Sequence, residues 1–286
     1  MKPITKAKAS WAAILNALTL ALVKFAVGMF TMSLAVLASA LDSIMDVLAS
    51  SLTLFAVKTA EKPPDEDHPF GHGKIEPLIS LVHAIIIGGV AAFIIKSAIW
   101  KMLHGYHLQS ANLAIIVMIA TIPPSFWIAR LLRRAGERHD SMVLSADALH
   151  YATDVWTASG VIVALVLEKY FKVPNADPII SLLISLYILQ SVVKLLWNSI
   201  SQLMDRALPG NTLATIDSCI KSHSTHVRGY HHLRTRKSGS INHIEFHLEI
   251  DHSVSFETAH AITEEIISKI EAAVPKSQVT VHSDPV

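Results

Sequence analysis

The stretch that decides the fold is SLAVLASALDSIMDVLASSLTLFAVKT, residues 33–59. It is long enough to cross a hydrocarbon layer of about 30 Å, which takes about 20 mostly apolar residues. It nevertheless contains two carboxylates, Asp42 and Asp46, four residues apart and therefore on one face of a helix. Because an ionised side chain inside a membrane is costly, such a group marks a functional site by default. The stretch predicts a membrane helix that carries a polar site.

The whole chain shares this apolar character. Of its 286 residues 51% are hydrophobic, and the mean hydropathy is +0.44, which is too apolar for a soluble domain of this length. The net charge is +1, and the cations are scattered among hydrophobic blocks. A nucleic-acid-binding protein needs a clustered basic face, so that class is excluded.

Six segments are long and apolar enough to span a membrane: residues 9–30, 33–59, 78–103, 110–132, 141–170 and 178–200. They predict an all-α six-helix transmembrane bundle. Most cations fall at one side of this bundle: Lys2, Lys6, Lys8, Lys58, Lys62, Lys74, Arg130, Arg133, Arg134, Arg138 and Arg206. By the positive-inside rule, both termini are expected in the cytoplasm.

The composition becomes mixed after Leu208-Pro209-Gly210. We therefore expect a transmembrane domain over 1–208 and a cytoplasmic domain over 209–286. Its pattern predicts a small α+β fold in the order α-β-β-α-β, with elements at residues 211–222, 227–236, 241–250, 256–274 and 278–282. In 241–250, Ile244, Phe246, Leu248 and Ile250 alternate with polar residues, which predicts one core face.

A second polar pair, His150 and Asp154, lies in the fifth predicted span, again four residues apart. Since the second and fifth spans run in opposite directions, Asp42, Asp46, His150 and Asp154 are all expected near the bilayer midplane. Three carboxylates and one imidazole can close a tetrahedral shell around a divalent cation such as Zn2+. The alternatives are mutual hydrogen bonding or a proton relay, an intramembrane metallohydrolase, and a passive cation channel.

Two further groups of histidines lie outside the spans. Asp65, His68 and His72 follow the spacing i, i+3, i+7, although an intervening proline and glycine favour a turn over a helix. A solvated acidic loop is the alternative. Lys74 cannot bind metal as an ammonium, so it is expected to pair with a carboxylate.

The predicted cytoplasmic domain carries its own candidate ligands: His231, His247, His260, His282 and Asp284. Ordinary surface histidines are the alternative interpretation of this set. Cys219 is the single cysteine, so metal sites must use His, Asp and Glu. Oxygen and imidazole ligands suit Zn2+ but also accept Cd2+, Fe2+, Co2+ or Mn2+.

These motifs resemble the cation diffusion facilitator family, in its bacterial zinc/proton antiporter and ferrous-iron efflux branch, over nearly the whole chain. The resemblance rests on four stretches: Leu41-Asp42-Ser43 through Asp46, Asp147-Ala148-Leu149-His150-Tyr151 through Asp154, His68-Pro69-Phe70-Gly71-His72-Gly73-Lys74, and His231-His232-Leu233-Arg234-Thr235-Arg236 with His247-Leu248-Glu249, His260 and His282-Ser283-Asp284-Pro285.

The resemblance implies a secondary transporter rather than an enzyme. It would export a divalent metal by alternating access and proton antiport, as a homodimer in the bacterial inner membrane. It also implies a metallochaperone-like cytoplasmic domain whose binuclear metal site regulates dimerisation, and a charge interlock between Lys74 and Asp205. Separately from the resemblance, Pro123-Pro124 is expected to kink the fourth predicted span, and Lys24 in the first span is expected to pair within the bundle.

Overall fold

The computed structural model describes residues 4–31, 34–104, 112–171, 173–222 and 225–286. Six long helices come first: α1 (Lys6–Thr31), α2 (Leu34–Ala60), α3 (Ile75–His104), α4 (Asn112–His139), α5 (Met142–Phe171) and α6 (Ala176–Leu203). Five shorter elements follow: α7 (Gly210–Lys221), β1 (Val227–Ser238), β2 (Ile241–Ile250), α8 (Phe256–Ala273) and β3 (Ser277–Pro285). The predicted α-β-β-α-β order is confirmed.

The chain divides into two compact units. The membrane unit combines Met1–Lys62 with Ile75–Ile200, and the C-terminal unit combines Pro63–Lys74 with Ser201–Val286. The loop between α2 and α3 thus packs with the C-terminal unit, although it lies between two membrane helices in sequence.

Four helices contain segments that are long and apolar enough to cross a membrane: Lys6–Phe30, Ser39–Ala60, Ile75–His104 and Ala176–Leu203. They belong to α1, α2, α3 and α6. Within the part of the chain that the structure describes, α4 and α5 add no further segment of this kind. Six spans therefore remain a prediction, and the first residues of the predicted 110–132 span lie outside the described ranges.

A stripe of alanines explains how α1 packs in the membrane unit. Ala9, Ala13, Ala17 and Ala21 recur at every fourth position and are all buried. Small side chains on one face let two helix backbones approach closely, and α1 packs mainly against α2. The opposite face of α1 exposes large apolar residues such as Leu15, which suits contact with lipid.

A buried polar cluster joins the start of α1, the start of α3 and the residue before α5. The Lys6 ammonium lies 2.7 Å from one carboxylate oxygen of Glu76, and the Ser141 hydroxyl donates to the other at 2.5 Å. Each of the three residues is less than 10% exposed. Removing one partner of such a buried pair costs about 3–5 kcal/mol, so the cluster fixes how these helices meet.

Gly160 of α5 faces the Ile184 side chain of α6. A Cβ at this position would overlap Cδ1 of Ile184, so that side chain would have to shift to admit a larger residue. Pro123 and Pro124 lie inside α4, which continues past them to His139. The kink expected from this proline pair stays a prediction.

The C-terminal unit is a three-stranded sheet in the order β1-β2-β3. β1 pairs with β2 antiparallel, and β2 pairs with β3 parallel, so β2 is central. The predicted alternation along β2 is confirmed, since Ile244, Phe246, Leu248 and Ile250 are at most 2% exposed. They pack with buried isoleucines of α7 and α8: Ile216, Ile220, Ile262, Ile266 and Ile270.

His243 departs from this alternation, because it lies on the polar face of β2 and is only 4% exposed. The Phe70 ring meets it edge-on with centroids 5.7 Å apart, and the Arg236 guanidinium lies 4.4 Å from the Phe70 centroid. The loop Pro63–Lys74 therefore covers this part of the sheet. Burial lowers the pKa of His243 below its usual value, which favours the neutral imidazole.

Candidate metal centres

Three groups of histidine and carboxylate side chains converge among the described residues. Within each group the ligand atoms lie within 4.8 Å of one another. The groups are Asp46, His150 and Asp154 (the membrane group); Asp65, His68 and His72 (the loop group); and His231, His247 and Asp284 (the sheet group). All nine residues are candidate ligands identified from the sequence.

The membrane group joins α2 to α5. Nε2 of His150 lies 2.8 Å from Oδ1 of Asp46 and 3.9 Å from Oδ2 of Asp154. Ligand atoms around a tetrahedral zinc ion, with bonds of about 2.0–2.1 Å, are roughly 3.3 Å apart. The observed separations bracket that value, so small side-chain movements would fit these groups around a metal.

Asp42 does not belong to this group in the structure. It lies one turn before Asp46 on α2 and is exposed, so the structure brings together three of the four predicted transport ligands. Its spacing still places it on the same helix face as Asp46.

A buried hydrogen-bond network lies one turn from the membrane group. The Ser50 hydroxyl donates to Asp147 at 3.3 Å and lies 3.2 Å from the Tyr151 hydroxyl, which donates to the carbonyl oxygen of Ala13. Asp147 is fully buried within this network. The network connects α1, α2 and α5 and holds α5 in place next to His150.

Lys24 approaches the membrane group from α1. Its ammonium donates to the Ser43 hydroxyl at 2.8 Å and to the Ser39 carbonyl oxygen at 3.3 Å. Ser43 lies between Asp42 and Asp46 in α2. The sequence indicates a lysine inside a predicted span, but it does not show that this cation lies beside the carboxylate pair.

The loop group forms around a turn, as the proline and glycine between its histidines predicted. Asp65 accepts hydrogen bonds from the backbone and ring of His68, at 2.7 and 3.1 Å, and its second oxygen lies 3.2 Å from Nε2 of His72. The backbone N–H of His68 is the main cause that lowers the pKa of Asp65. Gly71, with φ of 75°, completes the turn in a conformation that favours glycine.

The sheet group lies across all three strands. His231 on β1 pairs with His247 on β2, which pairs with His282 on β3. Oδ2 of Asp284 lies 3.0 Å from Nδ1 of His247 and 3.3 Å from Nε2 of His231, close to the separation expected around zinc. The hydrogen bond from His247 is the main cause that lowers the pKa of Asp284.

Two other predicted ligands of this site differ in their placement. Nε2 of His282 lies 3.2 Å from the second carboxylate oxygen of Asp284, so His282 borders the sheet group and could hold a second ion. His260 is exposed on α8 and is not part of the group. The structure thus supports one compact ligand set and an adjoining histidine.

Glu249 and His232 lie in stretches that carry the family resemblance, but neither was among the predicted ligands. Oε1 of Glu249 lies 2.9 Å from Nδ1 of His231 and thereby orients the ring for ligation through Nε2. A bulge between His231 and Arg234 gives His232 a φ of 54° and places its ring near those of His231 and His247. Alternation along a strand could not reveal this, because a bulge shifts the pattern by one residue.

The expected partners Lys74 and Asp205 are in contact. Their charged atoms lie 2.9 Å apart, with about two fifths of each side chain exposed. Arg236 adds a second cation at 3.8 Å from the other oxygen of Asp205. The pair connects the loop Pro63–Lys74 to the segment that follows α6, within the C-terminal unit.

Known protein families match almost the whole chain. The cation efflux transmembrane domain matches residues 10–204, and the cytoplasmic domain of cation efflux proteins matches residues 208–286.

Similar proteins include the cation-efflux pump FieF of Shewanella oneidensis, which is 36% identical over 278 residues, covering 97% of this chain and 93% of the relative. FieF of Cronobacter sakazakii is 33% identical over 278 residues, with 97% and 92% covered. A solved chain of the putative zinc transporter CzrB is 27% identical with a TM-score of 0.27, covering 28% of this chain and 99% of that chain.

These matches distinguish between the function classes left open by the sequence. The relatives are efflux pumps, so a transporter rather than an enzyme is confirmed, and the metallohydrolase alternative is wrong. Four apolar helices agree with an integral membrane protein. Both family domains and the full-length relatives show that this chain belongs to the cation diffusion facilitator family of cation efflux transporters, in its bacterial iron and zinc efflux branch.

Proposed function

We propose that this protein exports Zn2+ in exchange for protons and that Asp42, Asp46, His150 and Asp154 form its transport site. The observation that carries the proposal is the position of His150, whose Nε2 lies 2.8 and 3.9 Å from two carboxylates on two helices. A metal ion bound there would join α2 to α5. Its release would leave the same atoms to bind protons.

Proton exchange follows from the chemistry of these ligands. Imidazole and carboxylate groups must lose their protons before they bind a metal, so proton arrival weakens the site and metal arrival expels protons. Alternating access would expose the site to the cytoplasm for loading and to the outside for release. The coupling then uses an inward proton gradient to drive outward movement of metal.

The metal is proposed from the ligand set. Three carboxylates and one imidazole can complete a tetrahedral shell around zinc. The same ligands would accept Cd2+, Fe2+, Co2+ or Mn2+, since no thiolate is present to select a soft ion.

We assign residues 1–208 to a transport domain with six spans and residues 209–286 to a regulatory domain, with both termini cytoplasmic in the bacterial inner membrane. In this assignment α5 is a span that carries His150 and Asp154 of the transport site. The sheet group, with His260 and His282 as further ligands, would bind metal and stabilise a homodimer when metal is plentiful.

The test is zinc uptake into proteoliposomes of the full-length protein, with zinc and pH dyes inside. We expect zinc entry together with proton exit in the wild type and in Glu61→Gln, which removes an exposed carboxylate after α2. Asp154→Ala should abolish both fluxes. Zinc flux without proton movement would identify a passive channel instead, and normal flux in Asp154→Ala would reject the site.

A further inference from the structure

A cleft of about 610 Å³ lies between α4, α5 and α6 of the membrane unit, and none of the proposed metal ligands lines it. Its volume is in the range of ligand-binding pockets. The residues that line the cleft change from aromatic to basic along its length. Phe126, Trp156 and Tyr187 line one end, with the Trp156 and Tyr187 ring centroids 6.0 Å apart, and Arg130 and Arg133 follow one and two turns further along α4 towards Glu137.

The polar end of this cleft can bind an anion. Arg130 is exposed, and Arg133 donates from Nε to Glu137 at 2.9 Å, so the remaining guanidinium donors of both side chains can turn towards a phosphate. The Ser145 hydroxyl also lines this end. Two arginines against one glutamate leave a net positive charge at the mouth of the cleft.

The dimensions of the cleft fit a lipid chain. From Ser145 to Ser159 it follows α5 for about 21 Å, and from Phe126 to Glu137 it follows α4 for about 16 Å, at 1.5 Å per residue. One leaflet of a membrane contributes about 15 Å of hydrocarbon, half of the total core. The cleft therefore runs through about one leaflet, with its basic end at one surface.

We propose that this cleft binds an anionic phospholipid, with the phosphate on Arg130 and Arg133 and one acyl chain along the aromatic end. Charge separation along the cleft favours this occupant over a second copy of the chain, whose packing would bury two arginines against an apolar surface. The bound lipid would fill the space between α6 and the α4–α5 pair. This assignment does not depend on which metal is transported.

The test uses full-length protein in detergent, stripped of lipid and titrated with dioleoyl phosphatidylglycerol, with bound lipid counted by native mass spectrometry. Dioleoyl phosphatidylcholine is the zwitterionic comparison. We expect retention of phosphatidylglycerol to fall about fivefold for each arginine removed in Arg130→Gln/Arg133→Gln. Arg134→Gln/Arg138→Gln removes the same charge from the same helix outside the cleft and should retain the lipid.

Two further arms distinguish a lipid from a bare phosphate and from a protein contact. Ser159→Leu fills the apolar end without changing charge and should also lower retention, whereas glycerophosphoglycerol without acyl chains should not compete. The proposal would be overturned if both double-arginine variants lost phosphatidylglycerol equally. It would also be overturned if glycerophosphoglycerol displaced the lipid completely. A change in the dimer fraction with unchanged lipid retention would assign the cleft to a second copy instead.

Discussion

The membrane group and the sheet group use the same ligand types on different supports. Asp46 and His150 lie on separate helices that are held together by side-chain packing, whereas His231, His247 and Asp284 lie on strands joined by backbone hydrogen bonds in one register. Helices can slide or tilt without breaking their internal hydrogen bonds, but neighbouring strands cannot. The comparison indicates that the membrane group suits a site that opens alternately to two sides and the sheet group a site that stays assembled.

Removing a carboxylate from the membrane group should have the largest effect. We expect Asp46→Asn to reduce zinc flux in proteoliposomes at least about 100-fold, since it removes a ligand and the direct partner of His150. Asp42→Asn should lower zinc affinity less, because Asp42 lies outside the converged group. If Asp42→Asn reduced zinc flux more than Asp46→Asn did, the ligand arrangement of the membrane group would differ from that of the metal-loaded site.

Removing a ligand of the sheet group should separate binding from transport. We expect His247→Ala to weaken zinc binding at this site about 10- to 100-fold while flux at saturating zinc persists. His252→Ala removes a histidine of the same unit whose side chain is 80% exposed, and it serves as the control. Isothermal titration of the full-length protein beside flux assays checks both quantities, and complete loss of flux would contradict the assigned roles.

Neutralising the cation beside the membrane group should strengthen metal binding. Lys24→Gln keeps a donor for Ser43 and the Ser39 carbonyl but removes a positive charge that opposes an incoming divalent ion. We expect an increase in zinc affinity of roughly tenfold, with slower release. The zinc affinity is measured by equilibrium binding to the full-length protein. An unchanged affinity would mean that the charge of Lys24 is too well screened to act on the site.

The smallest effect is expected at Lys74 and Asp205. Both side chains are partly exposed, so Lys74→Met should lower the stability of the C-terminal unit by about 1 kcal/mol or less. Thermal unfolding at low and high salt checks this, since screening should reduce the difference between the variant and the wild type. A larger, salt-independent loss would indicate that the pair is more than a surface contact.

Many of the candidate metal ligands can be predicted from the sequence because the members of a pair lie only a few residues apart in the chain. His150 and Asp154 occupy one helix face, and His282 and Asp284 one strand face, so short-range periodicity identifies them. The strands and helices of the C-terminal unit are predictable for the same reason, since alternation along β2 and the Ser255 cap of α8 are local signals. In the structure the Ser255 side chain caps α8 by accepting a hydrogen bond from the backbone N–H of Thr258.

What sequence could not provide depends on long-range contacts. Lys24 meets Ser43 across two helices, and Phe70 covers His243 from a loop far away in the chain. The bulge beside His232 also depends on how β1 and β2 pair. Periodicity carries no information about partners at such separations, so these contacts emerge only from the three-dimensional arrangement.

The central claim is that His150 and its neighbouring carboxylates hold the metal that is carried. The direct test of this claim is X-ray absorption spectroscopy at the zinc edge. It uses the full-length variant His68→Ala/His231→Ala/His247→Ala loaded with one zinc ion per chain. We predict four nitrogen and oxygen ligands at about 2.0–2.2 Å, with one imidazole signal that disappears when His150→Ala is added. An imidazole signal that survives His150→Ala, or a shell of water alone, would contradict the claim.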